Sequence, residues 1–281
     1  MRKRANRAWS VGSRQAARLA DFCAGNFYGA QQRVFDLMLG VSTRGFAATE
    51  NNMFDSDTDN CCYQGCQWLA VRRALKDLGA STSDVFVDLG SGKGKALLIA
   101  GRLPYKHVVG IEVDRELSRF AARNIDRAQP RLRAGKVECI NADAAEWPIP
   151  DDTSVVFMFN PFIGETFSAV ASRIFESYDH NPRALHIVYE HPWEHDWLLS
   201  TRRVVVTDVR PSTSPGRLGW WKGGDVIVTY EVINSTTRNK FEVRKASRLY
   251  RSRRAIRRWS APNNHNFVMP KLESGEVFTR F

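Results

Sequence analysis

Three short clusters in this chain carry residues whose types and spacing could do chemistry. The first is D-L-G-S-G-K-G, running from Asp88 through Gly90, Ser91 and Gly92 to Gly94 between two apolar runs. Glycines at alternate positions let the backbone turn tightly and approach a ligand with no Cβ in the way. A helix beginning near Lys93 would aim its open N–H groups at the same spot. The second cluster is acidic. Glu112 stands in GIEVD, twenty-two residues after Gly90, and Asp143 stands in NADA after the next β-rich run. A carboxylate at such a strand end can accept bonds from two neighbouring hydroxyls of a sugar. The third is F-N-P-F, residues 159–162, containing Asn160, Pro161 and Phe162. An amide oxygen and a backbone carbonyl there could hold an amine by its N–H bonds and aim its lone pair, with an aromatic ring against its flat or aliphatic part.

These clusters need elements to position them. Apolar, β-rich runs occur at VFVD (85–88), HVVGIEV (107–113), KVECI (136–140), SVVFMF (154–159), ALHIVYE (184–190), VVVTDV (204–209) and DVIVTYEVI (225–233). The first five are separated by stretches long enough for crossover helices, one at 115–124 with Leu117, Phe120 and Ala121 sharing a face. Strands alternating with helices imply a parallel sheet covered on both sides. The last two runs are joined by RPSTSPGRLGWWKGG, which is rich in turn residues, so they read as an antiparallel hairpin. The expected fold is therefore α/β: a doubly wound, mostly parallel seven-stranded sheet with the last strand antiparallel. Such sheets bind ligands beyond the carboxyl ends of their strands, at the switch point, which is where all three clusters fall. Ahead of the sheet, 67–78 puts Trp68, Val71, Leu75 and Leu78 on one helical face. Residues 14–39 read as two helical pieces broken near Gly25-Asn26, and 40–60 as a polar lid or binding loop.

The glycine spacing discriminates among ligands. A dinucleotide fingerprint, GxGxxG, would need glycine at 95, where Lys95 stands, and no GxxxxGK[ST] phosphate loop is present. The D-x-G-x-G-x-G turn resembles the first motif of class I S-adenosyl-L-methionine (SAM)-dependent methyltransferases, a Rossmann-like fold. That resemblance implies SAM as cofactor, its amino-acid end cradled by Asp88, Gly90, Ser91, Gly92 and Gly94. It implies that Glu112 takes the ribose hydroxyls, and that Asp143 and the Ala144 N–H take the adenine. Asp114 is expected to cap the next helix. Asn160-Pro161-Phe162 is similar to the Asn-Pro-aromatic signature of class I enzymes that methylate amino groups. It has a single proline, unlike the NPP form typical of adenine and glutamine enzymes. Across roughly 35–208 the chain also resembles a group of bacterial class I methyltransferases with a DLGSGKG turn and FNPF. More distantly it is similar to histone-lysine methyltransferases that lack a SET domain. By that likeness Tyr63 and Gln64 close over the cofactor, with Gln64 where the family has glutamate.

Composition bounds the partners. The chain has 281 residues and a formal charge of +11, unevenly placed. Residues 1–34 carry seven Lys/Arg against Asp21, and 235–281 carry twelve against Glu242, Glu273 and Glu276, leaving a mildly acidic middle. Such ends suit a nucleic acid or another anionic surface. No apolar run is long enough to span a bilayer, and MRKRANRAW has no secretory character. Five cysteines, an odd number without framework spacing, suggest reduced thiols in a cytoplasmic setting. The expected organisation is a basic helical extension and lid loop (1–62), a methyltransferase domain (63–234) and a basic C-terminal extension (235–281).

Other signals carry less. HPWEH (191–195) fits the letters of H-x-x-E-H, but that zinc motif needs both histidines on one helix. Here His191 follows a strand and Pro192 reads as the first helical residue, so no metal is expected. His191 or Glu190 could still seat an acceptor or act as a base. Trp220-Trp221 reads as a satellite hydrophobic cluster or an aromatic wall. The expected activity is methyl transfer from SAM to a nitrogen of a protein, nucleic acid or small amine. The alternative is a silent SAM-binding module docking on nucleic acid through its basic ends.

Overall fold

The computed structural model describes residues 29–44, 64–212 and 226–234. Each β-rich run becomes a strand: β1 (Val85–Leu89), β2 (His107–Glu112), β3 (Lys136–Asn141), β4 (Thr153–Phe159), β5 (His186–Glu190), β6 (Val204–Pro211) and β7 (Val226–Val232). They form one seven-stranded sheet in the order β3-β2-β1-β4-β5-β7-β6. Neighbours pair in parallel except β5 with β7 and β7 with β6. A single reversed strand, β7, pairs antiparallel with β6, as the turn-rich connection implied, and is wedged between β5 and β6. The winding direction reverses between β1 and β4, and the carboxyl ends of these strands open there.

The helices cover both faces. They are α1 (29–39), α2 (Trp68–Asp77), α3 (Lys95–Gly101), α4 (Arg115–Ala128), α5 (Gly164–His180) and α6 (His195–Ser200). Strand residues alternate between two apolar layers, as the period of two requires. Val87, Leu89, Val156, Met158, Ile187 and Tyr189 pack with α5, while Phe86, Val155, Phe157 and Val188 pack with α1, α2 and α3. Helix α1 belongs to this second layer, with Phe35 and Leu39 fully buried. Among the described residues no helix is long and apolar enough to cross a membrane.

Three local expectations are corrected. Helix α3 starts at Lys95, not near Lys93, because Gly94 at its N-cap holds φ 79, a left-handed conformation that ends the turn before the helix can begin. A side chain at Gly94 would also press on Ala121 (Cβ–Cβ 3.1 Å), so α3 and α4 approach closely here. That closeness corrects the α4 face: Ser118, Ala121, Ile125 and Ala128 are buried, while Phe120 is exposed beneath Lys93 and Arg123 and Leu117 is half-buried. Ala121, rather than Leu117 or Phe120, is the α4 residue that meets Gly94. Asp114 caps α4 as expected, its Oδ1 accepting from Leu117 N at 2.8 Å, a bond worth about 1 kcal/mol. Helix α6 starts at His195 rather than Pro192, because His191 takes φ 51 and a turn intervenes.

Candidate active site

The glycine turn is bolted to the strand beside it. Gly90 N and Ser91 N both donate to Ile111 O of β2 (2.9 and 3.0 Å). Gly92 N donates to Glu112 Oε2 at 2.7 Å, and Asp114 N to Glu112 Oε1 at 3.0 Å. Glu112 therefore braces the turn before any ligand arrives. A carboxylate has about four acceptor sites, so each oxygen retains capacity for a hydroxyl. Ser91 is turned inward, its Oγ 3.4 Å from Cys139 Sγ, so only its backbone faces the turn. Asn141 Nδ2 donates to Glu112 O and Val113 O (2.8 and 2.9 Å), fixing the floor next to Asp143. Asp143 is exposed, with Oδ1 accepting from Ala145 N at 2.8 Å, and Ala144 is buried.

Gly90 has a reason the sequence did not show. It takes φ 77, and a Cβ built on it would overlap Cβ of Pro161, with Cγ at 3.2 Å. The F-N-P-F loop thus sits in the space that the missing side chain leaves. The turn and the loop form one contact, not two neighbouring features.

Asn160 follows β4, buried and at φ 43, a left-handed conformation that asparagine adopts more readily than most residues. Its Oδ1 accepts from Tyr189 Oη at 3.2 Å. Tyr189 is fully buried on β5, paired in register with Met158 and stacked at 5.7 Å on Phe167. Phe162 was expected to line an acceptor pocket. Its ring is instead 3 % exposed and packs 6.2 Å from Phe167 in the α5 layer, so it anchors the loop. The aromatic surface at this tip is Phe159 stacked on His191, 5.3 Å apart and tilted by 28°. Glu190 is fully buried beside them and receives Gln67 N at 3.3 Å. Gln64 is exposed ahead of α2. Tyr63, Trp220-Trp221, the lid loop from 45 and nearly all of the basic ends lie outside the described residues.

The two histidines of HPWEH do not share a helix. His191 leaves β5 while His195 opens α6, where burial pushes its imidazole down to about 4 and its Nδ1 lies 2.6 Å from Tyr230 Oη. No group of three metal-ligating side chains occurs among the described residues.

The electrostatics suit a ligand that carries positive charge. Asp88 is 2 % exposed, and burial, then the charge of Glu112, raise its carboxyl well above the ordinary 3.8. Burial also raises Glu112, against the pull of its two backbone N–H donors. A cation brought to Asp88 would relieve that cost. SAM fits these residues: Glu112 has acceptor capacity for the ribose diol, and Asp88 awaits a positive group.

Comparison with known proteins agrees. Residues 86–178, about a third of the chain, match the family model described as a methyltransferase domain. No curated protein matches the chain. Among solved structures, an RNA methyltransferase from Salinibacter ruber in complex with S-adenosyl-L-homocysteine is 21% identical, covering 58% of this chain and 90% of its own, at a TM-score of 0.41. The glycopeptide N-methyltransferase MtfA complexed with sinefungin is 10% identical, covering 65% and 91%, at 0.48. The geranyl diphosphate C-methyltransferase from Streptomyces coelicolor A3(2) is 14% identical, covering 59% and 77%, at 0.43. Similarity at this level says nothing of the acceptor. Residues 86–178 carry a methyltransferase domain, and the residues of the turn fit S-adenosyl-L-methionine as its cofactor.

A pH effect follows from Asp88. Because its folded carboxyl is raised, the ligand-free protein binds more protons than the unfolded chain in a window opening above 3.8, and loses stability as pH rises through it. A ligand bearing a cation favours the ionised form, so binding releases a proton and tightens with pH, by up to about tenfold per unit. Calorimetric titration of SAM in buffers of different ionisation enthalpy should read that release, and Asp88→Asn should abolish it. Affinity independent of pH through the window would refute the assignment.

Proposed function

We propose that this enzyme transfers the methyl group to a nitrogen, with Asn160 aiming the acceptor. The observation that carries the reading is the setting of Asn160: buried at the tip of β4, its Oδ1 oriented by Tyr189, on a loop seated against the cofactor turn through Pro161 and Gly90. Bound SAM supplies an electrophilic methyl on a sulfonium, so the protein's task is alignment. The second lone pair of Asn160 Oδ1 accepts one N–H of the acceptor. That bond turns the nitrogen lone pair toward the methyl and disfavours an acceptor without a donor at that point. The Phe159–His191 stack offers a flat surface for a base or the stem of a lysine. Basic segments 1–34 and 235–281 support a polyanionic acceptor, or one bound to a polyanion.

The test is incubation of the purified chain with methyl-labelled SAM and a host lysate, followed by fractionation into protein, nucleic acid and small molecules. The expected result is label in one fraction, recovered as an N-methylated amino acid, base or amine after hydrolysis and chromatography, and absent with Asn160→Ala. Label recovered on oxygen, carbon or sulfur would overturn the nitrogen assignment. Binding of SAM with no transfer into any fraction would favour the silent module that docks through its basic ends.

A further inference from the structure

Lys95 opens α3 one residue after the Gly94 cap, and it is 2 % exposed. Among the described residues it is the one Lys or Arg that is buried, against four buried carboxylates, Asp36, Asp88, Glu112 and Glu190. Among the described residues its Nζ has no hydrogen-bond partner. It lies 5.1 Å over the ring of Phe35, which holds the ammonium in place without satisfying its N–H groups. An ammonium buried in this way is costly unless something completes it.

The nearby acids do not complete it. Asp36, Cys66 and Glu190 lie close enough to act on its charge, yet none is within hydrogen-bond distance. Asp36 is already engaged by Thr43 N, by Thr43 Oγ1 at 2.6 Å and by Arg44 Nε at 3.1 Å. Glu190 receives Gln67 N. The location is also informative. Asp88 and Glu190 follow Phe86 and Val188 by two residues, so they lie on the α1–α3 face of the sheet, as Lys95 does. Cys66 lies within electrostatic reach of Lys95, Asp88 and Glu190 alike. Lys95 therefore flanks the same buried spot as the acid at the head of the glycine turn.

We propose that Lys95 forms a carboxylate subsite and receives the α-carboxylate of the cofactor's amino-acid end, while Asp88 faces the positive groups. This rests on reading the turn as the SAM site. A zwitterion needs both signs, and among the described residues every other buried charge near the turn is negative. The subsite selects for ligands with an intact amino-acid end, because a truncated nucleoside leaves the buried ammonium unpaired.

Binding to the full chain tests this with three probes: S-adenosyl-L-homocysteine, its decarboxylated analogue, and 5′-methylthioadenosine, which lacks the amino-acid end. The unaltered protein should prefer the first over the second by roughly 10- to 100-fold, the range for a bond between charged groups. Lys95→Met should erase that preference and leave methylthioadenosine affinity unchanged, with Lys95→Gln intermediate. A preference that survives in Lys95→Met would overturn the proposal. So would an equal loss for all three probes, which would mark Lys95 as structural. Should the variants fail to fold, the Lys95 side-chain NMR signals of the unaltered chain should move with S-adenosyl-L-homocysteine and not with its decarboxylated analogue. Movement with both or with neither would overturn it as well. An unaltered protein that binds none of the probes would instead bring down the cofactor reading beneath it.

Discussion

Replacing Gly90 with alanine should cripple this enzyme while leaving most of its sheet intact. Two costs add at that position. The φ of 77 disfavours any L side chain by about 1–2 kcal/mol. The new methyl overlaps Pro161, and overpacking of this kind costs about 1–3 kcal/mol. The expected loss of stability is therefore about 2–5 kcal/mol. The activity should fall further than stability predicts, because the clash is relieved by pushing the F-N-P-F loop off the turn. A displacement of about 1 Å costs on the order of 100-fold in rate. Gly79→Ala is the control: it has nearly the same φ, 76, but nothing within 4 Å of the added methyl. It should show the strain without the loss of rate. Chemical denaturation and kcat/KM for the two variants separate the terms, and equal activity losses would show that the Pro161 contact does not matter.

Asn160→Ala should lower kcat by about 100- to 1,000-fold while changing SAM affinity less than a few-fold, the range seen when one preorganised polar group is removed from a reacting centre. Part of any loss will come from the protein. Alanine at φ 43 is strained, and the buried Tyr189 hydroxyl loses its acceptor, at about 1–3 kcal/mol. Asn160→Gly removes the amide without the backbone strain, so it should be as inactive as the alanine variant but more stable. Tyr189→Phe keeps the amide and frees its orientation, so it should lose about tenfold in kcat. An Asn160→Gly enzyme with near-normal kcat would refute the aiming role.

Much of this site was legible before the structure. The seven strands declared themselves through short β-branched runs, and the reversed β7 through a connection full of glycine and proline. Asp114 as a cap followed from its place before a helical run. What stayed hidden depended on which residues touch across elements. Phe162 reads as a cleft residue because it follows Asn160-Pro161, yet its ring turns into the α5 layer. Leu117 and Phe120 read as a core face, but the buried face of α4 is Ser118, Ala121, Asn124, Ile125 and Ala128, with Ala121 against Gly94. Tyr189 was hidden as one apolar letter in a strand, since its hydroxyl gains meaning only through the β4–β5 register. The pairing of Gly90 with Pro161, far apart in the chain, has no sequence signature at all. The unpartnered Lys95 likewise follows a glycine like any surface lysine, and only its burial sets it apart.

The wedged position of β7 bears on how the chain is made. A ribosome delivers β1 to β5 in an order that lets each strand pair with one already present, so the cofactor half can close as it emerges. β5 then waits with one edge bare, because its next neighbour is not β6 but the later β7. Until residues 226–232 are synthesised, that edge offers unsatisfied backbone groups to any passing strand. The edge includes Tyr189 and Glu190, so a nascent or truncated chain would present this end of the sheet unsealed at the moment it is most prone to pair wrongly.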